Sequence, residues 1–124
     1  MEQNELLHCV HNTELLDYCL SKEGAYLDYP FGLDYITVKV KNSSKNRIFA
    51  EIFMLNNELK LTFSTDEMTA QFLRATYPQV IVNGWHCPSV QAKYKSTVTV
   101  NGVSNEILFS LIDMSYDSAI LKLK

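Results

Sequence analysis

The sequence lacks any apolar run long enough to cross a bilayer, and its N-terminus, MEQNELLHCVHN, lacks the apolar segment of a secretory signal. We therefore expect a cytoplasmic protein that does not associate with a membrane. Positive charge is also scarce, because 11 lysines and arginines stand against 14 aspartates and glutamates, giving a formal net charge of −3. This balance argues against broad, nonspecific affinity for nucleic acid but leaves room for a local basic strip.

The sequence also lacks the common motifs of catalytic and nucleotide-binding sites. The chain contains no P-loop, no GxGxxG, no GxSxG and no HExxH. The three cysteines are an odd number without a CxxC pair, which predicts free thiols in a reducing compartment. We expect a protein that is not an enzyme and that carries no cofactor.

Two short clusters of histidine and cysteine are the remaining candidates for chemistry. His8, Cys9 and His11 lie near the N-terminus, and His86 precedes Cys87. A zinc site needs about four ligands from separate segments, and nothing in the sequence brings the two clusters together. A cysteine nucleophile needs a nearby base, but neighbours in a strand point to opposite faces. A frayed terminus and a loop are the simpler interpretation, so no metal site is predicted.

The composition is sufficient for one hydrophobic core. The chain has 124 residues, of which 47% are hydrophobic and 20% charged, as in ordinary globular domains. No linker or low-complexity segment divides it. We predict a single domain over residues 1–124, in which residues 1–11 form an N-terminal extension.

Hydrophobic spacing predicts the order helix, three strands, helix, two strands, helix. The expected helices are 13–22, 64–77 and from 104 onward, and the expected strands are 36–41, 47–55, 59–64, 79–82 and 93–100. Ser64 and Glu67 fit a capping box, and Met68, Phe72 and Ala75 fit the inward face of the second helix. The fold class is therefore α+β, written α-β(3)-α-β(2)-α, with an antiparallel sheet and helices packed mainly on one face.

The link between the first helix and the first expected strand is rich in aromatic residues. Pro30 and Gly32 would shape a turn there, and Asp28 could accept backbone N–H bonds within it. In one interpretation, Phe31 buries its ring in a packed corner. In the other, the link is an aromatic-lined pocket with one carboxylate, to which Tyr26 also contributes.

The sheet face away from the helices is the best candidate for a binding surface. Strand alternation assigns the following residues to it: Thr37, Lys39, Lys41, Lys60 and Thr62. Glu51 interrupts the apolar central strand, and we expect it to pair with a lysine at position 39, 41 or 60. Lysines interleaved with aromatic residues could hold phosphates and stack bases, but a solvated face or a two-fold dimer patch would give the same pattern.

Several segments of the sequence resemble the MmcQ/YjbR family. They are YCLSKEGAYLDYPFG, ITVKVK, a strand and turn ending near VTVNG, and LIDMSYDSAILKL in the last helix. The matching family-motif residues are Tyr26, Asp28, Pro30, Phe31, Gly32, Ser115 and Tyr116. The resemblance covers the chain from about Asn12 to the C-terminus. It implies the α-β(3)-α-β(2)-α fold, also described as secretion-chaperone-like, and no catalytic activity.

Members of this family are commonly described as DNA-binding through a double wing of hairpins. The resemblance implies a DNA contact on the basic and aromatic residues near the hairpins: Lys39, Lys41, Lys45, Arg47, Lys93, Tyr94 and Lys95. Tyr94 stands where the family usually has a tryptophan. With so few cations, DNA binding should be weak and strongly salt-sensitive. The alternative is a protein-interaction or homodimer module that uses the exposed sheet face in the manner of a secretion chaperone.

Overall fold

The structure is a computed structural model that describes residues 10–123, with side chains from residue 14 onward. Within this range the elements are α1 (Val10–Leu20), β1 (Ala25–Asp28), β2 (Tyr35–Asn42), β3 (Lys45–Leu55), β4 (Glu58–Ser64), α2 (Glu67–Thr76), β5 (Ile81–Asn83), β6 (Lys95–Thr99) and α3 (Asn105–Leu123). Short 3-10 turns at Gln91–Lys93 and Val100–Gly102 flank β6. None of the helices in the described range is long and apolar enough to cross a membrane.

The strands form one antiparallel sheet in the order β1-β2-β3-β4-β6-β5. The predicted α+β fold class is confirmed, but the sheet has six strands in the described range rather than the five expected. The additional strand is β1, which lies inside the aromatic link and pairs Ala25 with Val40 and Asp28 with Thr37. A strand of four residues at a sheet edge carries little alternating apolar signal, so spacing alone did not reveal it.

The core lies between the sheet and the helices. The six alternating residues expected to face the helices are at most 3% exposed: Ile36, Val38, Val40, Leu59, Leu61 and Phe63. Residues of all three helices, including Leu15, Leu73 and Leu111, belong to the same buried cluster. Burying each such side chain contributes about 1.5–3 kcal/mol. Strand alternation therefore identified the inner face of the sheet correctly.

The second helix, α2, differs from its prediction in both its cap and its buried face. Its N-cap is Asp66, whose carboxylate accepts the Thr69 N–H at 2.7 Å, so the expected capping box of Ser64 with Glu67 is wrong. The residues expected to face inward are exposed: Met68, Phe72 and Ala75. Ala70 and Leu73 are buried instead.

The rotation of α2 follows from the hydrogen bonds of Arg74. This side chain donates to the carbonyl oxygen of Ala92, to that of Lys95 at 2.6 Å and to the Ser96 hydroxyl at 3.1 Å. These bonds hold the Arg74 side of the helix against β6 and the 3-10 turn before it. The small Ala70 lies on the buried side, where the larger Met68 and Phe72 would not fit as closely.

The opposite face of the sheet is not the open surface that alternation suggested. One row of residues crosses it through the strand registers: Thr37, Glu51, Thr62 and Thr97. All four side chains are buried, and the Thr62 and Thr97 hydroxyls are 2.7 Å apart. The backbone N–H of Trp85 donates to the Thr97 hydroxyl at 2.9 Å, which ties the loop after β5 to this row. The chain thus covers part of its own outer sheet face.

Candidate functional site

The sheet opens between β3 and β4 near one end. The register between β2 and β3 shifts by one residue, because Val38 pairs with Ala50 whereas Lys39 pairs with Ile48. Phe49 is the extra residue of this bulge. The pairing between β3 and β4 runs from Leu55 opposite Glu58 to Glu51 opposite Thr62 and ends there. Beyond that point the two strands diverge, although β4 continues to pair with β6 as far as Ser64 opposite Lys95.

Ser115 of α3 closes the inner side of this opening. Its Oγ donates to the carbonyl oxygen of Phe49 at 2.6 Å and accepts the backbone N–H of Ser64 at 2.9 Å. The side chain therefore replaces a missing ladder contact between β3 and β4, and it is completely buried. Tyr116 next to it packs its ring against Phe49 at 5.3 Å and donates to the carbonyl oxygen of Glu23.

The opening contains a cavity of about 360 Å³, here called the cationic cavity. It is lined by Lys39, Asn46, Arg47, Ile48, Ser64, Gln91, Tyr94, Lys95, Ser115, Ser118, Ala119 and Lys122. Four of these residues carry positive charge: Lys39 from β2, Arg47 from β3, Lys95 from β6 and Lys122 from α3. Small hydroxyl side chains and Gln91 supply further hydrogen-bonding groups. This combination suits a phosphate or another oxyanion.

The charges at the cationic cavity are only partly balanced. Lys39 pairs with Asp28 at 2.7 Å, and the Lys95 ammonium lies 3.8 Å from the Glu51 carboxylate. Arg47 and Lys122 form no ion pair with any carboxylate among residues 14–123. Desolvation lowers the pKa of Lys122, and the charges of Arg47 and Lys95 lower it further. A bound anion would relieve this repulsion.

The structure brings together four of the seven residues proposed from the sequence for DNA contact. Lys39, Arg47, Tyr94 and Lys95 line the cationic cavity. Lys41 and Lys45 belong to the β2–β3 hairpin and Lys93 to the 3-10 turn before β6, and none of the three lines the cavity.

Lys122 is the functional candidate that the sequence interpretation missed. It lies seven residues after Ser115, so the two residues share one face of α3 two turns apart. Its ammonium group lies 5.3 Å from the centre of the Tyr94 ring, within the range of a cation–π contact. The helical spacing from the motif serine was the available signal, but only the divergence of β3 and β4 shows that this face borders a cavity.

A second cavity of about 430 Å³, here called the aromatic cleft, lies next to the first. It is lined by Phe31, Tyr35, Glu51, Thr62, Trp85, His86, Cys87, Gln91 and Lys95. Tyr35 stacks on Phe53 at 4.8 Å between ring centres, and Trp85 lies 4.9 Å from the same phenylalanine. The imidazole of His86 stacks on the Trp85 indole at 3.9 Å.

The buried carboxylate of Glu51 faces this cleft. Its expected partner was a lysine at position 39, 41 or 60, and this prediction is wrong. Glu51 instead accepts the Tyr35 hydroxyl at 3.0 Å and lies 3.8 Å from the Lys95 ammonium. The pKa of Tyr35 is raised by burial and by the Glu51 charge. The reason for the error is that Lys95 comes from β6, which is brought close only by the sheet order.

The aromatic link combines both interpretations that the sequence allowed. Asp28 accepts the Tyr29 N–H at 2.8 Å, which is the turn contact expected of it. Gly32 adopts a φ of 108°, a conformation that favours glycine. Phe31 is 62% exposed, so its expected burial in a packed corner is wrong. Its ring meets Tyr35 edge-on at 5.5 Å and contributes one side of the aromatic cleft.

The remaining motif residues have structural contacts. Tyr26 pairs with Lys39 across β1 and β2, and the Lys41 ammonium lies 5.9 Å from the centre of its ring. Pro30 is exposed in the turn before Gly32. The contacts of Tyr26 stabilise the edge strand β1 beside Lys39.

The histidine and cysteine clusters are only partly within the described residues. His8 and Cys9 lie outside them, as does the side chain of His11. Among the side chains that the structure describes, no group of three or more histidine, cysteine, aspartate or glutamate residues is arranged to hold a metal ion. His86 is exposed and Cys87 is half-buried at the aromatic cleft.

Comparison with known proteins supports the resemblance noted in the sequence. The chain is similar to the solved structure of the Deinococcus radiodurans protein DR2400, described by the domain DUF419, with 30% identity and a TM-score of 0.74. That match covers 84% of this chain and 74% of the other. A Pseudomonas syringae protein shares the fold at 16% identity and a TM-score of 0.68, with 86% of this chain and 97% of that chain covered.

Curated proteins gave no match to the chain. A model of the YjbR family matches residues 20–118, which is most of the sequence and includes β1 to β6 and the greater part of α3. On this match the protein belongs to the YjbR family.

Proposed function

We propose that the protein is a non-enzymatic binding module that contacts DNA weakly, with phosphates held in the cationic cavity. The observation that carries the proposal is the convergence of four positive side chains from four different elements on one cavity: Lys39, Arg47, Lys95 and Lys122. The chain as a whole is acidic, so this concentration of positive charge is a local feature. A cleft lined by positive charge attracts anions and raises their local concentration.

The partial pairing of these cations fits a weak and salt-sensitive interaction. Asp28 and Glu51 neutralise part of the charge of Lys39 and Lys95 in the free protein. Arg47 and Lys122 are then the main groups for a phosphate, and the fork of the arginine guanidinium suits its oxygens. Tyr94 is 40% exposed beside them and could pack against a sugar or a base.

The proposal is tested by fluorescence anisotropy with a labelled oligonucleotide at low salt. We expect the double variant Arg47→Ala with Lys122→Ala to lose most of the affinity. The matched control, Lys41→Ala with Lys45→Ala, removes the same charge from residues outside the cavity and should bind nearly as well as the wild type. No binding by the wild type at low salt, or equal losses in both double variants, would refute the proposal.

A protein contact is the second candidate, and one surface feature favours it. Met68 is 80% exposed and Phe72 is 65% exposed, and they lie one turn apart on α2. Two large apolar side chains on one exposed helix face could form the centre of a contact with a second copy. Light scattering of the wild type and of Met68→Gln with Phe72→Gln tests this candidate. A dimer that the variant converts to a monomer supports it, and a strictly monomeric wild type excludes the homodimer.

A further inference from the structure

The cationic cavity and the aromatic cleft are neighbours. Gln91 and Lys95 line both the cationic cavity and the aromatic cleft. Both residues are held in place by the same support, because the guanidinium of Arg74 donates to the Lys95 carbonyl oxygen at 2.6 Å and to that of Ala92 next to Gln91. A ligand with an anionic part and a flat aromatic part could therefore occupy both cavities around Lys95.

The aromatic cleft has surfaces suited to a flat ring. Phe31 is largely exposed on one side. On the other, the half-buried Trp85 indole lies against Phe53 and carries the exposed His86 imidazole stacked on it. The exposed rings available to a base are therefore those of Phe31 and His86. Because Tyr35 and Phe53 stack beneath the cleft, the indole has a rigid support. Stacking of a base on such side chains contributes about 1–3 kcal/mol and tolerates any base.

One polar group in the cleft distinguishes among flat ligands. The Glu51 carboxylate is 8% exposed and accepts the Tyr35 hydroxyl through one oxygen, Oε1. Its other oxygen lies 3.8 Å from the Lys95 ammonium, which is beyond a normal hydrogen bond. An ionised carboxylate only accepts hydrogen bonds, so Glu51 favours a ring that carries an exocyclic amine at its edge over one that carries a carbonyl oxygen there.

We propose that the aromatic cleft holds one unpaired nucleobase while the cationic cavity holds the phosphate of the same nucleotide. This inference rests on the proposed function and specifies its ligand as a nucleotide with a free base, either alone or in a single strand. A base within a duplex has both faces stacked and its pairing edge occupied, so it cannot enter the cleft. Bases with an exocyclic amine, such as cytosine, satisfy Glu51, whereas thymine presents oxygen acceptors at the corresponding position.

The protein provides its own probe for the test. Trp85 is the sole tryptophan of the 124 residues, so fluorescence excited at a wavelength that the seven tyrosines do not absorb reports on the aromatic cleft. The wild type is titrated with single-stranded oligodeoxycytidine, the same strand as a duplex, an abasic strand of equal length and deoxycytidine monophosphate. We expect the single strand to quench Trp85 and to bind at least about fivefold more tightly than the abasic strand.

Two matched pairs of variants separate the cleft from the rest of the protein. Phe31→Ala should weaken the base-bearing strand about fivefold or more and leave the abasic strand unchanged. Its control is Leu121→Ala, which removes a similarly exposed apolar side chain outside both cavities. Glu51→Gln should abolish a preference of about fivefold for oligodeoxycytidine over oligothymidine. Its control is Glu58→Gln, an exposed carboxylate on β4.

Each outcome decides between the inference and the proposed function. Quenching by both the monophosphate and the strand supports the inference with a nucleotide as the minimal ligand, and quenching by the strand alone supports it with single-stranded DNA as the source. Equal affinity for single strand, duplex and abasic strand without quenching overturns the inference but leaves DNA binding intact. Quenching by the monophosphate without any oligonucleotide binding supports the inference and overturns the DNA proposal. Absence of binding by every ligand overturns both.

Discussion

The hydroxyl of Ser115 donates a hydrogen bond to the carbonyl oxygen of Phe49 across 2.6 Å. Phe49 is the bulged residue of β3, and the same hydroxyl accepts the N–H of Ser64 at the end of β4. One helical side chain therefore satisfies backbone groups of two strands that no longer pair with each other. The separation of those strands creates the cationic cavity, whose lining includes both serines and, two turns further along α3, Lys122.

The first prediction concerns the stability supplied by this serine. Ser115→Ala leaves the buried Phe49 carbonyl and the partly buried Ser64 N–H without their partner, so we expect the free energy of unfolding to fall by about 1–3 kcal/mol. Ser118→Ala changes the same residue type at the same cavity and forms no comparable bridge, so it should cost less than about 0.5 kcal/mol. Urea denaturation measures both variants. Equal stability of Ser115→Ala and the wild type would contradict the bridging role.

The second prediction tests the buried face of α2. Leu73 is 7% exposed and belongs to the core, whereas Phe72 is 65% exposed. We expect Leu73→Ala to lower the free energy of unfolding by about 2–5 kcal/mol and Phe72→Ala to change it by less than about 0.5 kcal/mol. Chemical denaturation of the two variants decides the matter. A larger loss in the phenylalanine variant would restore the orientation expected from the sequence.

The third prediction concerns Arg74. Its guanidinium reaches three acceptors, the carbonyl oxygens of Ala92 and Lys95 and the hydroxyl of Ser96. Lysine keeps the charge but cannot present the same planar fork, so Arg74→Lys should lower the free energy of unfolding by about 1–3 kcal/mol. Amide hydrogen exchange of residues 91–96 should also become faster in this variant. Unchanged exchange together with unchanged stability would show that this support is dispensable.

The fourth prediction is a pH dependence that arises where α1 meets α3. Asp113 accepts the Tyr18 hydroxyl at 2.6 Å and pairs with Lys22. Burial alone would raise the pKa of Asp113, but the hydrogen bonds from Lys22 and Tyr18 hold it below the ordinary value of 3.8. The folded protein therefore keeps this carboxylate ionised at lower pH than the unfolded chain does. The resulting stabilisation is complete above the ordinary value and is lost as the pH falls through the folded pKa.

Asp113→Asn should remove this contribution, which is about 1 kcal/mol or less because the side chain is half exposed. The difference in the free energy of unfolding from the wild type should be constant near neutral pH and should shrink below pH 3.8, the ordinary aspartate value. Asp117→Asn removes an exposed carboxylate from the same helix and is the control. Denaturant titrations between acid and neutral pH measure both. A difference that persists unchanged in acid would contradict the account.

The sequence was informative where one physical effect dominates. Alternation located the inner face of β2 and β4, because one side of each strand packs against the helices. The sequence was less informative for α2, which has apolar residues on two faces. The hydrogen bonds of Arg74 turn the face with Ala70 and Leu73 towards the core and leave Met68 and Phe72 exposed. The sequence also could not reveal that Trp85 and its loop cover part of the outer sheet face, since that contact joins segments through the tertiary fold.

The candidate site was also predictable in its residue types but not in its geometry. Lys39, Arg47, Tyr94 and Lys95 were selected from the sequence for their charge, aromatic character and position in the hairpins. Their convergence depends on the bulge at Phe49 and on the divergence of β3 from β4, neither of which has a signature in spacing or composition. The same geometry adds Lys122 and leaves Lys41, Lys45 and Lys93 outside the cavity.

The most direct test of the central claim is the salt dependence of binding to single-stranded DNA. Arg47 and Lys122, the two cavity cations without a carboxylate partner among residues 14–123, predict a slope of log K against log salt of about −1.4, because each phosphate neutralised on a single strand contributes about −0.7. The double variant Arg47→Ala with Lys122→Ala should bring the slope close to zero, while Lys41→Ala with Lys45→Ala should keep the wild-type value. A wild-type slope in the Arg47 and Lys122 variant would show that the cationic cavity is not where the phosphates bind.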